Sequence, residues 1–144
     1  MKPIVFYDGE CGLCNYWVQW ILERDVDRIF QFAALQSSFA GELFNFFDRE
    51  LTTRSLIVMR DKATFLEKSE AVAYLLSRLS PRSFAERLLK VMPRFLGDFG
   101  YDGVATFRRV TRRDSCRLFS PAERAAFLNG TPYLDWAREN NFTK

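Results

Sequence analysis

Two cysteines stand three residues apart in the segment Phe6-Tyr7-Asp8-Gly9-Glu10-Cys11-Gly12-Leu13-Cys14. Residues three apart on a helix are neighbours, so the sulfurs of a C-x-x-C at a helix start come within bonding reach of each other. The chemistry open to such a pair is thiol–disulfide exchange. Cys11 is expected at the helix N-terminus, where free backbone N–H groups and the macrodipole stabilise an anion and so favour the nucleophilic thiolate. Cys14, one turn further in on an apolar stripe, is expected to be shielded. The asymmetry assigns roles. Cys11 attacks a substrate disulfide, Cys14 then attacks Cys11 and releases the reduced product, and the cycle can run in reverse. Gly12 keeps the approach to the sulfur open.

Two carboxylates, Asp8 and Glu10, flank the pair. Near a thiolate they oppose ionisation. Either can instead cap the helix, Asp8 being the better capping type, and a buried Asp8 can relay a proton to Cys14. The expected catalytic set is therefore Cys11, Cys14 and Asp8. Two other uses of a C-x-x-C stay open at this point: half of a zinc site, and an inert pair of core cysteines.

Composition narrows these choices. The chain has 144 residues and no histidine, so a Cys-His or Ser-His-Asp nucleophile system and a Cys2His2 zinc site are both excluded within one chain. Only 3 cysteines are present, too few for a four-cysteine zinc or iron–sulfur site in a monomer. A metal would need carboxylate ligands or a second chain. Disulfide exchange needs no cofactor, and none is expected.

The elements that must hold the pair follow from periodicity. Ile4-Val5-Phe6-Tyr7 is a continuous β-branched and aromatic run, as in a strand buried on both faces. Asp8-Gly9 turns the chain into a helix over about 11–24, with Cys14, Trp17, Val18, Ile21 and Leu22 on one stripe. A second strand is predicted over 28–33 and a helix over 38–49, with Phe39, Leu43, Phe46 and Phe47 on one face. A third strand is predicted over 55–60 and a short antiparallel partner at Phe65-Leu66. Ser69 is predicted to cap a helix reaching Leu79, with Val72, Leu75, Leu76 and Leu79 inward. Strand–helix–strand in this order implies a right-handed parallel crossover. Residues 3–79 thus read β-α-β-α-β-β-α, the order of an α/β thioredoxin-like core with a four-stranded mixed sheet.

The remainder reads as helical. Ser83 with Glu86 and Ser120 with Glu123 have capping-box spacing, Pro121 suits a first helical position, and Thr131-Pro132 starts a last short helix containing Leu134 and Trp136. The expected organisation is a thioredoxin-like core over 1–80 and a helical extension over 81–144 packed on it, one domain in all. Tyr16 and Trp20, on a second face of the first helix, are the expected docking surface for that extension.

With Asp8, Cys11 and Cys14 in an Asp-x-x-Cys-x-x-Cys pattern, Tyr7 before it and Gly9 inside it, the chain resembles the DCC family of thiol-disulfide oxidoreductase-like proteins. The resemblance continues through Leu35-Gln36-Ser37 and Ser55, and into Tyr101, Arg108 and Cys116. It implies a thioredoxin-like fold and exchange with a protein or small-molecule disulfide or thiol, the enzyme being regenerated by a separate reductant. Ordinary thioredoxins differ in having Gly-Pro between the cysteines, a Trp before the first, and a cis-Pro before the third strand. Here Gly12 and Leu13 separate the sulfurs and Ser55 stands where that proline would be, so these three are the expected substrate contacts.

The net charge of +3 arises from a basic excess within residues 82–117. Cys116 follows Arg112-Arg113 and reads either as a third redox thiol or as a plain, partly buried cysteine. Arg108/Arg112 and Arg109/Arg113 form basic stripes at helical spacing, and Leu88 to Phe99 is amphipathic, so peripheral contact with a membrane or a protein is an alternative use of the extension. A non-catalytic interaction module built on that tail is the alternative function. No nucleic-acid module is recognisable and nucleic acid is not an expected partner. With no secretory or transmembrane pattern, the expected compartment is cytoplasmic and the expected state monomeric.

Overall fold

Each strand of the sheet is short, and the central ones are buried on both faces, because apolar residues alternate between two cores. In the computed structural model, which describes residues 1–50, 56–62, 64–80 and 121–142, the strands are β1 (Ile4–Tyr7), β2 (Gln31–Ala34), β3 (Ile57–Met59) and β4 (Phe65–Glu67). The described helices are α1 (Gly12–Arg24), α2 (Ser38–Phe46), α3 (Lys68–Leu79), α4 (Pro121–Arg124) and α5 (Tyr133–Glu139). The sheet order is β2-β1-β3-β4, with β1 parallel to β2 and antiparallel to β3, and β3 antiparallel to β4. This is a thioredoxin-like α/β fold with a C-terminal helical addition. Ser55, Cys116, the stretch 88–99 and the arginines of 101–113 lie outside the described residues.

Ile4, Phe6, Ala33, Ile57 and Met59 face one core, which α2 covers with Phe39, Ala40, Leu43 and Phe44. Val5, Tyr7, Phe32 and Val58 face the other, which α1 covers with Cys14, Val18, Ile21 and Leu22, and α3 with Ala71 and Leu75. The pleat sends successive side chains to opposite faces, which is why an unbroken apolar run is the right pattern for β1.

Several boundaries shift for local reasons. The second strand begins at Gln31 rather than near Arg28, because Asp25 organises the preceding residues as a turn. Its carboxylate accepts from the N–H groups of Ile29 and Phe30, both at 2.9 Å, while Arg28 takes a left-handed φ of 50°. Asp25 is only 2% exposed. Asp25→Ala orphans one buried and one partly buried backbone donor and is expected to cost about 2–4 kcal/mol. Asp25→Asn, which keeps an acceptor oxygen, should cost roughly half of that. Urea unfolding of the two variants checks this; equal midpoints to the parent chain would refute it.

The second helix stops at Phe46 rather than near Arg49. Asp48 turns left-handed at φ 52°, and the N–H groups of Arg49 and Asp48 close on the carbonyls of Phe44 and Asn45 at 3.0 and 3.1 Å, a Schellman motif. The third helix starts at Lys68 directly after Glu67, so Ser69 is not its N-cap. Lys68 still donates its N–H to Leu56 at 3.2 Å and turns the chain through a φ of 50°, leaving no loop in which Ser69 could cap.

The described part of the extension packs elsewhere than on Tyr16 and Trp20. Leu128, Tyr133, Trp136, Ala137 and Phe142 join the α2 core, while Tyr16 remains 59% exposed. Trp20 is half-buried against Trp17, with rings 5.5 Å apart, and the Arg24 guanidinium lies 4.4 Å from its centroid. Aromatic partners explain the choice, since Trp136 meets Phe39 and Phe142 at 5.3 and 5.0 Å. Residues 126–129 also run along the free edge of β2. Phe32 donates to the Ala126 carbonyl at 2.8 Å, Leu128 donates to Phe32 at 2.7 Å, and Asn129 Oδ1 accepts from the Ala34 N–H at 2.7 Å.

Candidate active site

Cys11 and Cys14 lie where the chain leaves the C-terminal end of β1 and enters α1. Cys11 is the N-cap of α1, with extended backbone dihedrals and no side-chain capping bond, and its carbonyl accepts the first helical bond, from Asn15, at 3.0 Å. No acidic residue occupies the first turn of α1, so the helix end keeps its positive character beside the Cys11 sulfur. Both cysteines are thiols, 9% and 3% exposed, within the core that α1 and α3 share. Cys11 is the more exposed residue of the two. Gly12 and Leu13 form the first residues of α1, and their backbone alone is described.

The turn before Cys11 is built from side-chain bonds. Asp8 is half-buried, and its Oδ1 accepts from the Glu10 N–H at 3.0 Å and from Gln36 Nε2 at 2.7 Å. The Asp8 carbonyl accepts from the Cys11 N–H at 3.2 Å. Asp8 therefore does not cap α1; it closes the turn that delivers Cys11 to the cap position. Gly9 is held from two sides, its N–H donating to Gln36 Oε1 at 3.1 Å and its carbonyl accepting from Asn15 Nδ2 at 3.3 Å. Exposed Glu10 contributes its backbone, not its carboxylate, to the turn.

Tyr7, the last residue of β1, sits under the turn. Its ring meets Phe127 edge-on at 6.1 Å, and its hydroxyl accepts from Asn129 Nδ2 at 3.4 Å. Burial raises its phenol above the usual tyrosine range, with the Asn129 bond offsetting part of the rise, so it stays neutral in the pH range of thiol chemistry. Among the described residues no group of three or more cysteines, aspartates or glutamates is placed to hold a metal ion.

This arrangement, a thiol pair on the strand-to-helix turn of a thioredoxin-like fold, falls within a segment that matches a family model. Residues 5–114 match the model of the DCC1-like thiol-disulfide oxidoreductases, more than half of the chain. The chain belongs to this family. Among curated proteins, this DCC1-like chain is 33% identical over 120 residues to a chloroplastic DCC family protein of Arabidopsis thaliana, covering 81% of this chain and 70% of the relative. It is 28% identical over 131 residues to the uncharacterized protein YuxK of Bacillus subtilis, covering 87% of this chain and 93% of that one. No solved structure gives a significant match.

Of the expected site residues of this DCC1-like protein, Asp8, Cys11, Gly12, Leu13 and Cys14 fall on one turn and the helix it starts. Three residues that the motif does not point to complete the surroundings. Gln36 comes from the β2–α2 connection, Asn15 from α1, and Asn129 from the extension. Among the described residues no helix is long and apolar enough to cross a membrane.

Proposed function

We propose that this DCC1-like protein is a thiol–disulfide oxidoreductase in which Cys11 is the nucleophile and Cys14 the resolving thiol. The observation that carries the reading is the placement of both thiols at the start of α1, one at the uncapped helix N-terminus and the other a turn deeper and more shielded. In the reducing direction the Cys11 thiolate attacks one sulfur of a substrate disulfide. A Cys11–substrate disulfide forms, and the other substrate sulfur leaves as a thiolate that takes a proton from water. Cys14 then loses its proton and attacks the Cys11 sulfur. The mixed disulfide breaks, a Cys11–Cys14 disulfide forms, and the second substrate sulfur leaves. The substrate gains two electrons and the pair loses two, which a separate thiol reductant restores. The reverse sequence oxidises a dithiol.

Asp8 has a double part in this reading. One carboxylate oxygen fixes the turn, and the other is the candidate acceptor for the proton that Cys14 sheds. Gly12, Leu13 and Ser55 are the proposed substrate contacts. The substrate is a protein or small-molecule disulfide or thiol, and we place the reaction in a compartment where thiols are kept reduced, the cytoplasm in the simplest form.

The test is a redox titration of the full chain read by mass spectrometry. A reversible Cys11–Cys14 disulfide is expected somewhere within glutathione poises of about −320 to −180 mV. Failure of that disulfide to form anywhere in the range would end this reading.

A further inference from the structure

We propose that Gln36 is a positioning residue for the Cys11–Cys14 pair, acting through its two hydrogen bonds to Asp8 and Gly9. The proposal rests on the reading of that pair as a redox centre.

The backbone of Gln36 is held on both sides. The N–H of Leu35 donates to the Tyr7 carbonyl at 2.9 Å, tying the preceding residue to the end of β1. Ser37, the N-cap of α2, donates its N–H and its hydroxyl to the Ala34 carbonyl at 3.0 and 2.6 Å and accepts from the Ala40 N–H at 3.2 Å. From this fixed base the Gln36 amide reaches across to the cysteine turn. Nε2 donates to Asp8 Oδ1 at 2.7 Å, and Oε1 accepts from the Gly9 N–H at 3.1 Å. A Cβ on Gly9 would meet Oε1 in ordinary contact, at 3.5 Å.

Bonds to two successive residues fix the turn against both sliding and rotation. The path to the nucleophile is short, because the Asp8 residue that Gln36 holds also accepts from the Cys11 N–H at 3.2 Å. The amide type matters as well. A carboxylate must be met by a donor and a backbone N–H by an acceptor, and a neutral amide supplies both. A carboxylate at position 36 would serve Gly9 but repel Asp8. Gln36 is exposed and takes no part in either core, so its effect should fall on the site rather than on stability.

The experiment measures alkylation of reduced full-length protein by iodoacetamide at neutral pH, with the rate at Cys11 resolved by peptide mass spectrometry and normalised to Cys116 in the same molecule. Gln36→Ala is expected to slow Cys11 by about 10-fold, as misplacement does at reactive centres. Gln36→Glu is expected to slow it by about the same factor or more in the parent chain. In an Asp8→Asn background the same change should cost clearly less than in the parent chain, because the neutral side chain then at position 8 no longer repels the new carboxylate. Unfolding midpoints of the position-36 variants should match the parent. An unchanged Cys11 rate in Gln36→Ala, or equal costs of Gln36→Glu in the two backgrounds, overturns the positioning role while leaving the redox reading intact. If the parent chain forms no Cys11–Cys14 disulfide in the titration above, both fall together.

Discussion

Cys14→Ser is expected to convert the protein into a trap: mixed disulfides through Cys11 accumulate, because the thiol that would release the substrate is gone. Cys11→Ser is expected to abolish exchange, by about a thousand-fold or more, as removal of other covalent nucleophiles does. The structure separates this chemical loss from misfolding. Cys11 is the N-cap of α1 and makes no capping bond, and serine is among the best N-cap residues. Cys11→Ser should therefore fold at least as well as the parent. Cys14 is 3% exposed in an apolar core, so its serine variant carries a cost of about 1–2 kcal/mol for the buried hydroxyl, and Cys14→Ala is the companion that avoids it. Non-reducing gels with mass spectrometry of trapped species check the first result, and turnover of a model disulfide checks the second. Trapping by Cys11→Ser in place of Cys14→Ser would reverse the assignment of roles, and equal trapping by both would abolish it.

Trp136→Ala is expected to cost about 3–5 kcal/mol, the largest stability loss among the variants considered. Trp136 is 2% exposed and lies between Phe39 of α2 and Phe142, with Tyr133 on its own helix 6.3 Å away. Its indole N–H donates to Gln31 Oε1 at 3.4 Å, at the start of β2. The indole thus joins the C-terminal segment to both the sheet and α2. Trp136→Phe keeps most of the ring contact and loses the bond, so about 1–2 kcal/mol is expected. Denaturant midpoints with an unchanged m-value measure both. A loss below about 1 kcal/mol for the alanine variant would mean that the extension merely lies on the core rather than completing it.

The parts of the fold that were legible in the sequence are those written as local pattern. The unbroken run Ile4 to Tyr7 marks a strand buried twice over, and the structure gives each of its side chains to one core or the other. Pro132 marks the start of the last helix at Tyr133. The cysteine spacing and the Asp8-Gly9 turn place the thiol pair at the head of α1. What escaped was either a competing local bond or a contact made far along the chain. Arg28 to Phe30 has the composition of a strand, but Asp25 captures two of its N–H groups before any neighbouring strand can. Asp8 has the composition of a cap, but its position lies too early, and the turn uses its carboxylate first. Gln36 lies in the Leu35-Gln36-Ser37 segment that carries the resemblance, but an exposed polar residue in a short connection has no periodic signal to assign it a role. Asn129 meets Ala34 and Tyr7 across separations of 95 and 122 residues, which no local pattern encodes.

The strip 126–129 along β2 also bears on how this sheet meets other chains. A bare strand margin is adhesive, because any extended peptide can join it. Here the chain spends its own residues to shut that margin, and where the strip ends, a single asparagine amide finishes the seal at Ala34. On the function proposed above, an extended peptide drawn to the thiols would find that flank already paired at Phe32 and Ala34.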